Sequence, residues 1–179
     1  MIHTIPVDRV LRETVATPYR NLVTRPTGAA VRRGITQRMD AIGCSTAALD
    51  FSSVGLIDFS CADEVVAKLL LNTDPTSDRY LLLMGLEDHH AEAIDHVLGH
   101  HSLAVAAIQL TGDQLLLGRV GQDARVAFSH ILALGPGDPA DLADGLRWTI
   151  QRAANAVQAL ALLRLVVAHS GRYRPVPLF

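Results

Sequence analysis

Apolar residues recur along this chain in two rhythms: short runs of strand length, and longer stretches with an apolar position every three to four residues. Residues 1–17 mix Ile2, Ile5, Val7, Val10, Leu11 and Val15 with single charges, and predict an edge strand or a short helix. Pro18 to Thr24 reads as a strand, ended by Arg25-Pro26-Thr27-Gly28, with Thr27 capping a helix from Ala29 to Ala41. Val31, Ile35, Met39 and Ile42 give that helix its apolar side, and Arg32, Arg33 and Arg38 a basic outer face expected to be solvated. Gly43 stops it before a strand from Ala47 to Phe51. A helix follows from about Ser60 to Leu71 with Val65, Val66, Leu69 and Leu70 inward, then a polar loop over residues 72–78 and a buried strand from Arg79 to Leu86. Glu87-Asp88 opens another helix, with Ile94, Val97 and Leu98 on one side, and Ser102 to Leu110 is one more strand. Alternating strands and helices predict an α/β layer with helices packed on a sheet.

After Thr111-Gly112-Asp113 and the segment from Gln114 to Val120 the pattern changes. Residues 122–134 are helical by the spacing of Val126, Ile131, Leu132 and Leu134, and Gly135-Pro136-Gly137-Asp138-Pro139 ends that helix. Asp138 caps a second helix, Ala140 to Leu146, entered through Pro139, and Thr149 caps a third, Ile150 to Leu163. Leu165-Val166-Val167 and Tyr173-Arg174-Pro175-Val176 are two short strands around His169-Ser170-Gly171. The boundary between the two patterns divides the chain into residues 1–110 and 111–179.

The densest polar chemistry lies at Leu49-Asp50-Phe51-Ser52-Ser53 and Leu56-Ile57-Asp58-Phe59-Ser60-Cys61-Ala62-Asp63-Glu64, where a strand, a serine turn, a second apolar run and a helix start follow one another. The unpaired N–H groups and dipole of a helix N-terminus favour an anion there. These residues resemble the STAS domain family, which includes the anti-sigma factor antagonists of bacteria. The resemblance covers about Pro18 to Leu110. It implies a STAS-like sheet with helices packed on it and a protein partner of the anti-sigma factor or histidine-kinase-like ATPase type. Phe59 stands where phosphorylatable members carry serine, and Cys61 where they carry glycine, so the match is to a divergent branch. Asp58, Ser60, Asp63, Ser52 and Ser53 are the candidate regulatory or partner-binding residues. Ser60 has two readings: a phosphorylation or phosphate-recognition point, or a helix cap accepting from the N–H of Asp63 or a neighbour. Ser52 and Ser53 are turn residues first.

Residues 122–176 resemble the winged helix-turn-helix family, carried by Leu142 to Leu160 as the two motif helices, Leu163-Arg164-Leu165-Val166 leading into the wing, and Gly171-Arg172-Tyr173-Arg174-Pro175 returning from it. The resemblance implies a small α+β domain whose third helix enters the major groove. Thr149, Gln151, Arg152 and Asn155 on that helix, with Arg172 and Arg174 on the wing, are the DNA-contact candidates. Tight binders neutralise about 6 to 10 phosphates, and few cations line this surface, so DNA contact and a protein interface stand as alternatives. Trp148 either packs in the turn or faces a partner half exposed.

Composition narrows the remaining classes. With 49% hydrophobic and 19% charged residues the chain is of ordinary globular type, and a formal net charge of -2 leaves any nucleic-acid contact to a local patch. No apolar run reaches membrane-spanning length, and the N-terminus lacks a signal-peptide layout, so a cytoplasmic protein is expected. Cys44 and Cys61 are too few for a disulfide framework or metal knuckle, and both are expected to be small buried hydrophobes. His89, Glu92, His96 and His100 share a helical stripe, with His90 and His101 close by; a solvated polar face is expected there, and no metal or other cofactor. No P-loop, dinucleotide fingerprint, nucleophile elbow or zinc-protease motif is present, so the chain is expected to be no enzyme. The reading is a bacterial-type regulator, in which the first domain binds a protein partner or signal and the second links it to transcription through DNA. A protein-protein adaptor without DNA contact is the alternative, and a homodimer is left open.

Overall fold

The apolar runs of the first half become one sheet in the computed structural model, which describes residues 2–16, 18–43 and 45–176 and is mixed α/β. Cys44 lies outside the described residues. The strand order is β1 (Ile2–Pro6), β2 (Thr46–Asp50), β3 (Tyr80–Leu86), β4 (Ala104–Gln109) and β5 (Gln114–Gly118). The first four strands are parallel, and β5 returns antiparallel to β4. Ile5, Leu49, Leu83 and Ala107 align in one row, and Thr4, Ala48, Leu82 and Ala106 in the next. Successive side chains alternate faces, so only the first row joins the core under the helices.

Parallel neighbours need crossovers, and these are helical. Helix α1 (Val7–Val15) follows β1, and α2 (Arg25–Ile42) then leads to β2. Helix α3 spans Phe59–Ala62, a π-helical turn Asp63–Ala67 and Lys68–Leu71, and α4 is Asp88–His100. In the π turn the Lys68 N–H reaches back to the Asp63 carbonyl. Val10, Leu11, Val31, Ile35, Val65, Val66, Ile94 and Leu98 from all four helices share one core with the sheet. Helices α2 and α3 approach closely at Gly28, where a Cβ would stand 2.9 Å from Glu64 Cβ and 3.0 Å from Cys61 Cα.

Three local expectations change. Residues 2–15 hold both a strand and a helix, and β1 takes the sheet edge. Pro18 to Thr24 does not join the sheet. It runs beside residues 55–58, with a parallel bridge of Leu22 to Ile57 and bonds from Leu22 N–H to Leu56 O (2.8 Å), Asp58 N–H to Leu22 O (3.0 Å) and Gly55 N–H to Arg20 O (2.8 Å). Helix α2 starts at Arg25, because Pro26 is preorganised for a first helical turn; Thr27 therefore lies inside the helix and does not cap it.

The chain divides by its contacts into residues 1–119 and 120–179, so the segment 114–118, placed above with the second part, belongs to the first unit through its pairing with β4. The second unit contains α5 (Gln122–Leu134), α6 (Pro139–Leu146), α7 (Ile150–Leu162) and an antiparallel hairpin of β6 (Val166–His169) and β7 (Arg172–Pro175). Asp138 caps α6 by accepting from Asp141 N–H, and Thr149 caps α7 by accepting from Arg152 N–H. Phe128, Ile131, Leu142, Val157, Leu160 and Val166 are buried.

Candidate functional site

Helix α3 begins on a carboxylate. Asp58 Oδ1 accepts from the Cys61 N–H (2.7 Å) and the Ser60 hydroxyl (2.8 Å), and Oδ2 accepts from the Thr24 N–H (2.9 Å). The cap is therefore Asp58, not Ser60, which is a donor inside the first turn. Partial burial pushes the Asp58 carboxyl up, but the bonds from Thr24, Cys61 and Ser60 together hold it below its usual value. An anion at this N-terminus would displace a carboxylate already seated there. Cys61 is fully buried, and its thiol donates to the Thr24 carbonyl (3.0 Å). Burial, with the Asp58 charge added, pushes that thiol up to about 12. Since the thiolate is the reactive form, Cys61 in the folded chain should resist iodoacetamide at about pH 8 over hours, read by peptide mapping; labelling within minutes would contradict this placement.

One turn on, Glu64 is a buried carboxylate with three cations. Its side chain is 3% exposed, and it meets Arg25 Nη1 at 2.9 Å, Lys68 Nζ at 2.5 Å and Arg32 Nη2 at 3.2 Å. Burial raises its pKa, and the bonds from Lys68 and Arg25 with the charge of Arg32 bring it below the ordinary value. Arg25 Nη1 also holds Asp63 Oδ2 at 2.7 Å, while Asp63 Oδ1 takes His101 Nε2 at 2.7 Å. Arg32, expected on a solvated face, thus turns inward, and Arg38 pairs with Glu13 on α1. Nothing local marked Glu64 for burial; the i, i+4 spacing to Lys68 was the available signal.

His90 is likewise buried and satisfied. The Glu87 N–H can only donate, so His90 Nδ1 accepts it (3.1 Å) and the ring proton sits on Nε2, donating to the Gly55 carbonyl at 2.5 Å. Burial lowers the His90 pKa and keeps the ring neutral. His96 packs at a tilt between Phe59 (4.6 Å) and His100 (4.7 Å), and among the described residues no group of three or more His, Cys, Asp or Glu is placed to hold a metal.

Within this cluster Glu64 Oε2 and Arg32 Nε are buried without a hydrogen-bond partner, and exposed apolar side chains lie in the residues that flank it. Leu22 and Ile57 are buried at the bridge, while Tyr19 (70% exposed), Val23, Leu56 (60%) and Phe59 (56%) stand out around it. Phe59 separates a cleft of about 330 Å³ lined with Asp58, His89 and Glu92 from one of about 420 Å³ that Ser60, Asp63 and Arg25 share. Ser60 and Asp63 thus share one cleft, and Asp58, bonded to the Ser60 hydroxyl, lines the other. Ser52 and Ser53 line neither cleft; they are exposed in the turn after β2, where Ser52 N–H donates to Asp50 Oδ1 (2.9 Å).

In the second unit the α7 candidates face one cleft of about 650 Å³, opposite the start of α5. Arg152 forms a two-pronged pair with Asp123, Nε and Nη2 each at 2.8 Å, and lies 4.3 Å from the Trp148 ring centre. Gln151 donates to the Asn155 carbonyl oxygen at 2.8 Å, and Thr149 is spent as a cap. Arg172 is outside that cleft, donating to the Pro136 carbonyl (2.6 Å), and Arg174 is exposed on β7. Residues 120–179 hold six arginines and no lysine against four aspartates, a formal +2; residues 1–119 hold ten basic against fourteen acidic residues, a formal -4. Set beside known proteins, the chain matches no family model, no curated protein and no solved structure.

Proposed function

We propose that the chain is a non-enzymatic regulatory binding protein of bacterial type, whose STAS-like first unit docks a protein partner and whose winged-helix-like second unit links that partner to transcription through DNA. The observation that carries the reading is a carboxylate cluster whose charges are paired within the chain, with exposed apolar side chains beside it. Asp58, Asp63 and Glu64 have their charges answered within the chain, and Cys61 is held as a thiol, which leaves no activated nucleophile there. Tyr19, Val23, Leu56 and Phe59 instead offer surface of the kind that marks protein contacts. An anti-sigma factor or a histidine-kinase-like ATPase is the partner type that the STAS-like reading implies. The test is affinity capture from the native host with wild-type chain and a Leu56→Asp/Phe59→Asp variant of equal melting temperature. A protein held by the first and lost by the second supports the reading; identical captured sets overturn it.

The order of three helices and a hairpin, with a formal +2 on residues 120–179, supports DNA as the second ligand. The adaptor reading has its own support, because Arg152, Gln151 and Asn155 are already engaged with Asp123 and with each other. A gel-shift series separates the two: the DNA reading expects binding near 50 mM salt that weakens at least about tenfold by 200 mM, and no binding at low salt leaves the adaptor.

A further inference from the structure

The cleft of about 420 Å³ between the first turn of α3 and the last turn of α4 gathers unusual chemistry: Arg25, Phe59, Ser60, Asp63, Val97 and the imidazoles of His96, His100 and His101. We propose that it binds a phosphomonoester dianion, a ligand class beyond the protein partner inferred above. Asp63 is the one carboxylate in its wall, and both of its oxygens are occupied, by Arg25 and His101. Arg25 commits only Nη1 to Asp63 and Glu64; its side chain is 51% exposed, and a guanidinium carries five N–H donors. Phe59, tilted against His96, forms an aromatic wall beside these donors, so the cleft combines an apolar side with convergent polar groups.

His100 Nδ1 donates to the His96 carbonyl at 3.1 Å and His101 Nε2 donates to Asp63, which fixes both rings in the wall of the cleft. A phosphoryl group, with three acceptor oxygens and up to two charges, meets the N–H donors that Arg25 leaves uncommitted. The charged and titratable groups that line the cleft are Arg25, Asp63, His96, His100 and His101.

The experiment is an NMR titration of the full chain with inorganic phosphate, phosphoserine, adenosine monophosphate and adenosine. All three phosphate-bearing probes are expected to shift the amides of residues 59–63 and 96–101 near pH 8, where each is a dianion, and adenosine is not. Adenosine monophosphate binding more tightly than phosphoserine identifies a small aromatic phosphate as the source, and the reverse a phosphorylated peptide. His100→Glu, which adds a carboxylate at an exposed position in the cleft wall, should weaken all three with melting unchanged, and Arg25→Gln, which removes the uncommitted donors, should weaken them further. Binding of adenosine as tight as its monophosphate, no shift by any phosphate probe at about 10 mM, or affinity unchanged in His100→Glu overturns the proposal. Partner capture by Leu56→Asp alone is read independently of these outcomes, because Leu56 does not line the cleft.

Discussion

Replacing Glu64 by alanine should destabilise the chain by about 3 kcal/mol, the largest single-residue effect expected here, because a nearly buried carboxylate is removed from under three cations. Breaking a buried pair typically costs about 3 to 5 kcal/mol; the lower figure applies, since Arg25 and Lys68 are partly solvated and recover hydration. Glu13→Ala is the control. Glu13 is half exposed with Arg9 and Arg38 beside it, and its loss should cost far less than that of Glu64. Urea unfolding measures both; equal, small losses would mean that the Glu64 charge is not desolvated. The pH dependence follows from the depressed Glu64 pKa. Its contribution is full above its ordinary value of 4.5 and is lost as pH falls through the lower folded value, so wild type and Glu64→Ala should converge in acid.

Why this node escaped the sequence is a matter of range. Glu64 in a first turn reads as a residue favoured by the helix dipole, and Arg32 as solvated, because both look outward on their own helices. They meet only because Gly28 lets α2 close on α3, a contact between residues 36 apart in the chain. The periodic signals were local and legible: Asp138 and Thr149 as caps, and the apolar positions of β2, β3 and α4. Short elements were not. Residues 18–24 have strand composition, yet the sheet edge goes to Ile2–Pro6, and Ser60 yields the cap to Asp58 because the carboxylate two residues earlier reaches the free N–H groups first. At the candidate site the acidic residues were visible, but the exposure of Tyr19 and Leu56 was not, since it depends on Leu22 pairing with Ile57.

The second large effect concerns binding. Aromatic anchors at the centre of a protein interface cost about 2 to 4 kcal/mol when removed, so Leu56→Asp/Phe59→Asp should weaken the captured partner at least about thirtyfold. Both side chains are more than half exposed, so melting should move little; a fall as large as that of Glu64→Ala would mean that they pack in the fold. Val23→Ala, at the edge of the same patch, should weaken the partner less.

Hydrogen–deuterium exchange of the full chain, with and without its captured partner, addresses the central claim most directly. The account predicts that amides of residues 20–24 and 54–62 gain protection, because the bridge at Leu22 and Ile57 and the first turn of α3 lie beneath the patch. Protection confined to residues 122–176, with these amides exchanging as in the free chain, would contradict it.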